Sequence, residues 1–138
     1  MNYLGSGNYR FIPYLQDQAP TAEAITFTVV SSGPLSSSRV LAITGAGLVL
    51  ADKDTLTHQD KIVGFTISSA AAAGEIVDVI SEGYRVDPSY IFTAGPFWLG
   101  NNGEVTQVKP TTGLLVQLGV ALSATEIVFD IGLAIKLA

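Results

Sequence analysis

The sequence predicts an all-β protein: a compact β-sandwich or barrel of about ten short strands, built on a repeated unit and preceded by an extended N-terminal arm. Three observations carry that prediction. From Ala24 onward, short β-branched runs are punctuated by glycine, a composition that suits strands and tight turns. The turn segments Gly45-Ala46-Gly47 and Asn101-Asn102-Gly103 each join two such runs and supply residues that tolerate positive φ. Helical periodicity is nearly absent. The alanine-rich stretch from Ser69 to Gly74 is too short for a free-standing helix and reads as a loop.

Taken in order, residues 1–22 form the arm and residues 23–138 a single β domain. Met1 to Pro20 carries Tyr3, Tyr9, Phe11 and Tyr14 among Gly, Asn, Gln and Pro, with neither helical nor alternating periodicity. Four aromatic rings on an isolated arm would each expose apolar surface, so they need a receiver. Two receivers fit equally: a partner subunit, or the arm's own domain. The candidate strands are Ala24 to Val30, Arg39 to Ile43, Leu48 to Ala51, Ile62 to Ile67, Glu75 to Ser81, Phe97 to Leu99, Val105 to Val108, Leu114 to Leu122, Glu126 to Ile131 and Ala134 to Leu137.

Within these strands a pattern recurs over residues 45–83 and 101–137. Laying Gly64 on Gly119 aligns Ile62-Val63-Gly64-Phe65-Thr66 with Gln117-Leu118-Gly119-Val120-Ala121. Further on, Glu75-Ile76-Val77 meets Glu126-Ile127-Val128, and upstream each copy has a turn glycine, Gly47 or Gly103. Two Val/Ile-rich strands resemble each other by chance, but the shared order of turn, strand, loop and strand favours a duplicated unit packed as one core. A glycine inside a strand marks a bulge or a close backbone approach, so equivalent distortions are expected at Gly64 and Gly119.

Composition bounds the function. Charged residues are 14% of the chain, against about 25% in ordinary soluble domains, while hydrophobic residues are 48%. A single domain of 138 residues with this balance leaves apolar patches on a lone monomer, which favours an oligomer over a Ser/Thr-covered monomer. A net charge of −5 with seven Lys and Arg argues against nucleic-acid binding. The absence of cysteine excludes disulfides and thiolate metal sites. No secretory signal is read in the first twenty residues, and the uncharged run Pro110 to Thr125 is too short and polar to span a bilayer, so no membrane partner is expected.

The segment Ile62-Val63-Gly64-Phe65-Thr66, then Ala70 to Gly74, Val77 to Gly83 and Asp87-Pro88 resembles a module of tailed-bacteriophage virion proteins. Gly95-Pro96-Phe97-Trp98-Leu99-Gly100, Pro110-Thr111-Thr112-Gly113 and Gly119 to Thr125 extend the resemblance to capsid decoration (cement) proteins and the β domains of phage head and tail fibres. It covers roughly Arg39 to Ala138 and rests on glycine spacing. The resemblance implies a compact β protein, often a homotrimer, that binds the major capsid protein on the virion surface after assembly in the host cytoplasm. The alternative it leaves open is a fibre or spike component that displays a host-receptor or glycan-binding surface.

No catalytic, cofactor or metal set emerges, and no enzyme is expected. His58 is the single histidine and sits among Asp52, Asp54 and Asp60, but the chain shows no G-x-S-x-G elbow and no complete calcium-loop pattern. A solvated loop is therefore expected, with threefold clustering of His58 or Asp60 as an ion- or pH-sensitive variant of that reading. Trp98, beside Phe97 and near Tyr90 and Phe92, is read as a core or interface anchor rather than a sugar or base platform. The interface candidates are thus Tyr3, Tyr9, Phe11, Tyr14, Trp98 and His58.

Overall fold

A computed structural model describes residues 24–137, and in it the chain is almost entirely β. The strands are β1 (Ile25–Val30), β2 (Val40–Thr44), β3 (Gly47–Leu50), β4 (Ile62–Thr66), β5 (Ile76–Val86), β6 (Gly95–Leu99), β7 (Val105–Thr106), β8 (Leu114–Leu115), β9 (Gln117–Ala121), β10 (Glu126–Asp130) and β11 (Ile135–Lys136). The strand predicted over Leu114 to Leu122 is divided at Val116, which is fully buried. A short 3-10 helix, Leu56–His58, was not foreseen, because three residues carry no periodic signal.

One sheet curls into a half-barrel with strand order β3-β2-β4-β5-β10-β9-β6-β7. That order is symmetric about the antiparallel β5·β10 pair: β3, β2, β4 and β5 on one side answer β7, β6, β9 and β10 on the other. The repeat read from the sequence is therefore a duplicated unit of topology. Each unit also takes in the strand before its turn glycine, β2 or β6, which sequence similarity alone does not reveal.

The two strand glycines behave as a matched pair. Leu41 faces Gly64 but Ala42 faces Ile62, so Val63 is an extra residue in β4. Phe97 faces Gly119 but Trp98 faces Gln117, so Leu118 is the extra residue in β9. Each bulge thus directly precedes its glycine. A Cβ on Gly64 would sit 2.7 Å from the Ile80 carbonyl oxygen, and one on Gly119 would sit 2.1 Å from that of Val128. Both positions are closed to any side chain by backbone.

Inside the curl lies the main core. Phe65, Phe97 and Phe129 are fully buried; Phe65 stacks on Phe129 at 5.5 Å, and Phe97 lies 6.3 Å from Phe129. Tyr90 and Phe92, on the β5–β6 connection, close that end of the aromatic cluster. Burying a large apolar side chain contributes roughly 1.5–3 kcal/mol, so these rings, drawn from both units, bind the halves into one core.

The free ends of the half-barrel also meet. The Val40 amide donates to the Gly103 carbonyl at 2.7 Å, Gly103 donates to Ala51 at 2.6 Å, and Lys53 donates to Gly100 at 3.0 Å. Gly103 has φ +76, and a Cβ there would lie 3.1 Å from the Val40 carbonyl, so glycine is needed for both its conformation and its closeness.

On the outer face, the first unit is covered. Leu41, Val77 and Val79 pack beneath Leu35 and Ala70, whose backbones bridge reciprocally at 2.9 and 2.8 Å. Thr66 fastens the cover: its hydroxyl donates to the Ser36 carbonyl and accepts the Arg39 amide, both at 2.9 Å.

Candidate functional site

His58 was expected in a solvated loop; it is instead buried. The 3-10 turn is made by residues whose amides close on carbonyls three positions back: His58 N–H donates to Thr55 at 2.9 Å and Gln59 N–H to Leu56 at 3.1 Å. That turn tucks the imidazole inward, where Nδ1 accepts the Asp52 amide at 3.0 Å. The expectation of a solvated position is therefore corrected: the His58 imidazole is engaged within its own fold. Asp60, at φ +61, is exposed and apart from this bond.

The remaining polar residues of the loop form a structural knot. Asn101, at the β6–β7 turn, donates from Nδ2 to Asp52 at 2.9 Å and to Asp54 at 2.8 Å, and the Asn102 amide donates to Asp52 at 3.0 Å. Partial burial pushes the Asp52 carboxyl up, but the amides of Asp54 and Asn102 and the Asn101 side chain outweigh it and hold the group below its ordinary value. Asp54 is lowered as well, first by Asn101 and then by Lys53. These bonds secure the place where the ends of the half-barrel meet. Among the described residues no cluster of three or more His, Cys, Asp or Glu is arranged to hold a metal ion.

Trp98 departs from the core reading. Strand alternation sends Phe97 and Leu99 into the core, while Trp98 turns to the outer face and is only partly buried. Its partner across the ladder is Gln117, and the neighbouring outer positions on β9 and β10 are Val120 and Val128, themselves cross-strand partners. Together with Lys109 and Asp130 these residues line a groove of about 520 Å3. Leu133, just before β11, and Ile135, the first residue of β11, add apolar lining. This groove lies on the same face of the sheet as the covered Leu41, Val77 and Val79, but in the second unit.

A second exposed feature is β1. It pairs with β5 alone, leaving its other edge free among the described residues. Ile25 is 55% exposed and Phe27 37%, while the cross-strand partners Val30 and Ile76 are each 66% exposed. Sequence reading marked β1 as a strand but gave no sign that it would lie at an edge, since edge position depends on the pairing of β5 with β10. Tyr3, Tyr9, Phe11 and Tyr14, the arm candidates, lie outside the described residues.

No helix among the described residues is long and apolar enough to cross a membrane. The chain matches no protein-family model, no curated protein and no solved structure.

Proposed function

We propose that the chain is a structural subunit of a larger assembly: a capsid decoration protein of a tailed bacteriophage that binds the major capsid protein as a homotrimer on the virion surface. The observation that carries this reading is the β1 edge. A strand edge that no other described residue pairs with, flanked by exposed Ile25, Phe27, Val30 and Ile76, places backbone donors and acceptors beside apolar surface, the combination by which strands recruit another chain. Monomeric proteins commonly blunt such edges with lysine or proline, and Ile25–Val30 contains neither. The chain's low charge and the resemblance in glycine spacing support the same reading. Its mechanism is interfacial: strand pairing and apolar burial hold neighbouring subunits together, and no chemical step is assigned.

The test is the oligomeric state together with head binding. The full chain is expected to sediment as a trimer and to bind expanded phage heads at many copies per particle. Phe27→Asp and Val30→Lys are expected to yield a folded monomer that no longer binds. A wild-type protein that stays monomeric at about 0.1 mM and ignores the heads removes the proposal, since interfaces that serve assembly at cellular concentrations have tighter constants.

A further inference from the structure

We infer that the open groove around Trp98 is a binding site for a neutral, hydroxyl-rich ligand, an oligosaccharide. The inference rests on the groove's chemistry and is independent of the assembly reading.

Its lining combines three kinds of group. The Trp98 indole offers a flat apolar surface with a donor at its edge, and Val120 and Val128 extend the apolar floor. Around it, Gln117 offers an amide whose intramolecular engagement is one long 3.4 Å contact to the Gly119 carbonyl. Asp130 and Lys109 bring carboxylate oxygens and an ammonium, and their side chains form no hydrogen bond or ion pair with other described residues. At about 520 Å3 the groove falls within the roughly 300–1,000 Å3 of small-molecule sites.

These features select among ligands. A purely apolar ligand would strip water from Asp130, Lys109 and Gln117 and return no hydrogen bond to any of them. A strongly acidic or basic ligand would meet one matching and one opposing charge, because the lining's single lysine and single aspartate cancel. A peptide cannot add itself as a strand to the floor, where β9 lies between β6 and β10 and β10 between β9 and β5, so the floor itself presents no ladder edge. A sugar carries chemistry that matches each kind of group in the lining. Its C–H face lies on the indole, and its hydroxyls donate to Asp130 and accept from Lys109 and the Gln117 amide.

Trp98 is the chain's one tryptophan, so intrinsic fluorescence reports on this groove alone. The full-length protein is titrated with malto-, cello-, laminari- and chitohexaose to about 10 mM, a range that covers the weak constants expected of a shallow site. At least one is expected to shift or quench Trp98 emission saturably. By calorimetry, Trp98→Ala is expected to weaken that binding at least tenfold, and Asp130→Asn and Val120→Arg to weaken it while circular dichroism stays unchanged. Val120→Arg fills the groove from a position already exposed to solvent, so it tests the site even if Trp98→Ala unfolds. The inference is overturned if none of the four sugars changes the emission saturably, or if binding survives Val120→Arg. It is also overturned if the emission instead moves with protein concentration, which would place a second copy of the chain in the groove.

Discussion

The two units of the sheet share one topology and finish their outer faces in opposite ways. In the first, Leu41, Val77 and Val79 are roofed by the Ser31–Arg39 connection, with Leu35 bridged to Ala70 and Thr66 holding the roof by two side-chain hydrogen bonds. In the second, Trp98, Val120 and Val128 line a groove that is open among the described residues. The residue aligned with Thr66 is Ala121, which has no hydroxyl and turns into the main core. The contrast teaches that duplication supplies a second outer face while a single local latch decides whether that face serves stability or remains free to bind. The units are also one residue out of phase. Gly64 faces outward with Leu41, whereas Gly119 faces inward with Phe97, as a one-residue slip in a period-2 structure requires.

That phase difference sets the largest predicted effect. A Cβ at Gly119 would meet the Val128 carbonyl at 2.1 Å, the Phe97 ring at 2.9 Å and the Phe129 backbone at 3.1 Å, inside the main core. A Cβ at Gly64 would meet the Ile80 carbonyl at 2.7 Å, but its other close neighbour, at 2.5 Å, is the Val79 side chain, whose methyl groups can turn. Gly119→Ala is expected to cost about 3 kcal/mol or more, measured by urea denaturation, and Gly64→Ala distinctly less. The reverse order would break the assignment of the two glycines to opposite faces.

The latch comes next. Thr66→Val keeps the shape of a fully buried side chain but leaves the Ser36 carbonyl and the Arg39 amide without their partner. A loss of about 2 kcal/mol is expected. Faster amide exchange confined to the Ser31–Arg39 roof would sharpen the comparison by showing that the roof opens locally. Uniform exchange across both units would mean that Thr66 supports the whole core and is no latch.

Much of this fold was legible because strand and turn signals are local. Ten candidate strands coincide with observed ones to within a few residues, apart from the division at Val116 and the extension of β5 through Val86. The extension escaped because β5 holds a bulge at Ser81: Ile25 faces Glu82 while Thr26 faces Ile80, and the alternation that marks a strand reverses there. The bulges before Gly64 and Gly119 were legible through the glycines themselves. The candidate site was far less so. Trp98 could be placed on a strand, but its face depends on the Leu118 bulge and on what covers it, which are properties of pairing. The burial of His58 was hidden for the same reason, since one short 3-10 turn, with no sequence period, carries it inward.

A matched pair of substitutions compares the two outer faces directly. Val79 is fully buried under the roof, and Val128 is partly open on the groove floor. Valine to threonine keeps the volume and adds one hydroxyl. Val79→Thr is expected to cost roughly 1–3 kcal/mol by burying that hydroxyl, and Val128→Thr to stay within about 0.5 kcal/mol, because water reaches it. Equal costs at the two sites, read from urea midpoints, would mean that the groove is filled in solution.

The smallest effect concerns the seam where the units' outer edges meet, and it depends on pH. The carboxyls of Asp52 and Asp54 are held below their ordinary values in the fold, so they bind fewer protons there than in the unfolded chain. Their contribution to stability is complete above the ordinary aspartate value of about 3.9 and is lost as pH falls through the lowered folded values. Asn101→Ala removes the donor common to both carboxylates, so it weakens the seam slightly at neutral pH and narrows the acid-driven loss. Urea midpoints of the wild type and Asn101→Ala should therefore differ at about pH 6 and converge towards pH 2, where protonation has already removed what the amide was bonded to. A gap that stayed constant across this range would assign Asn101 a role in turn geometry alone, and the seam would then rest on its backbone bonds through Gly103, Gly100 and Ala51.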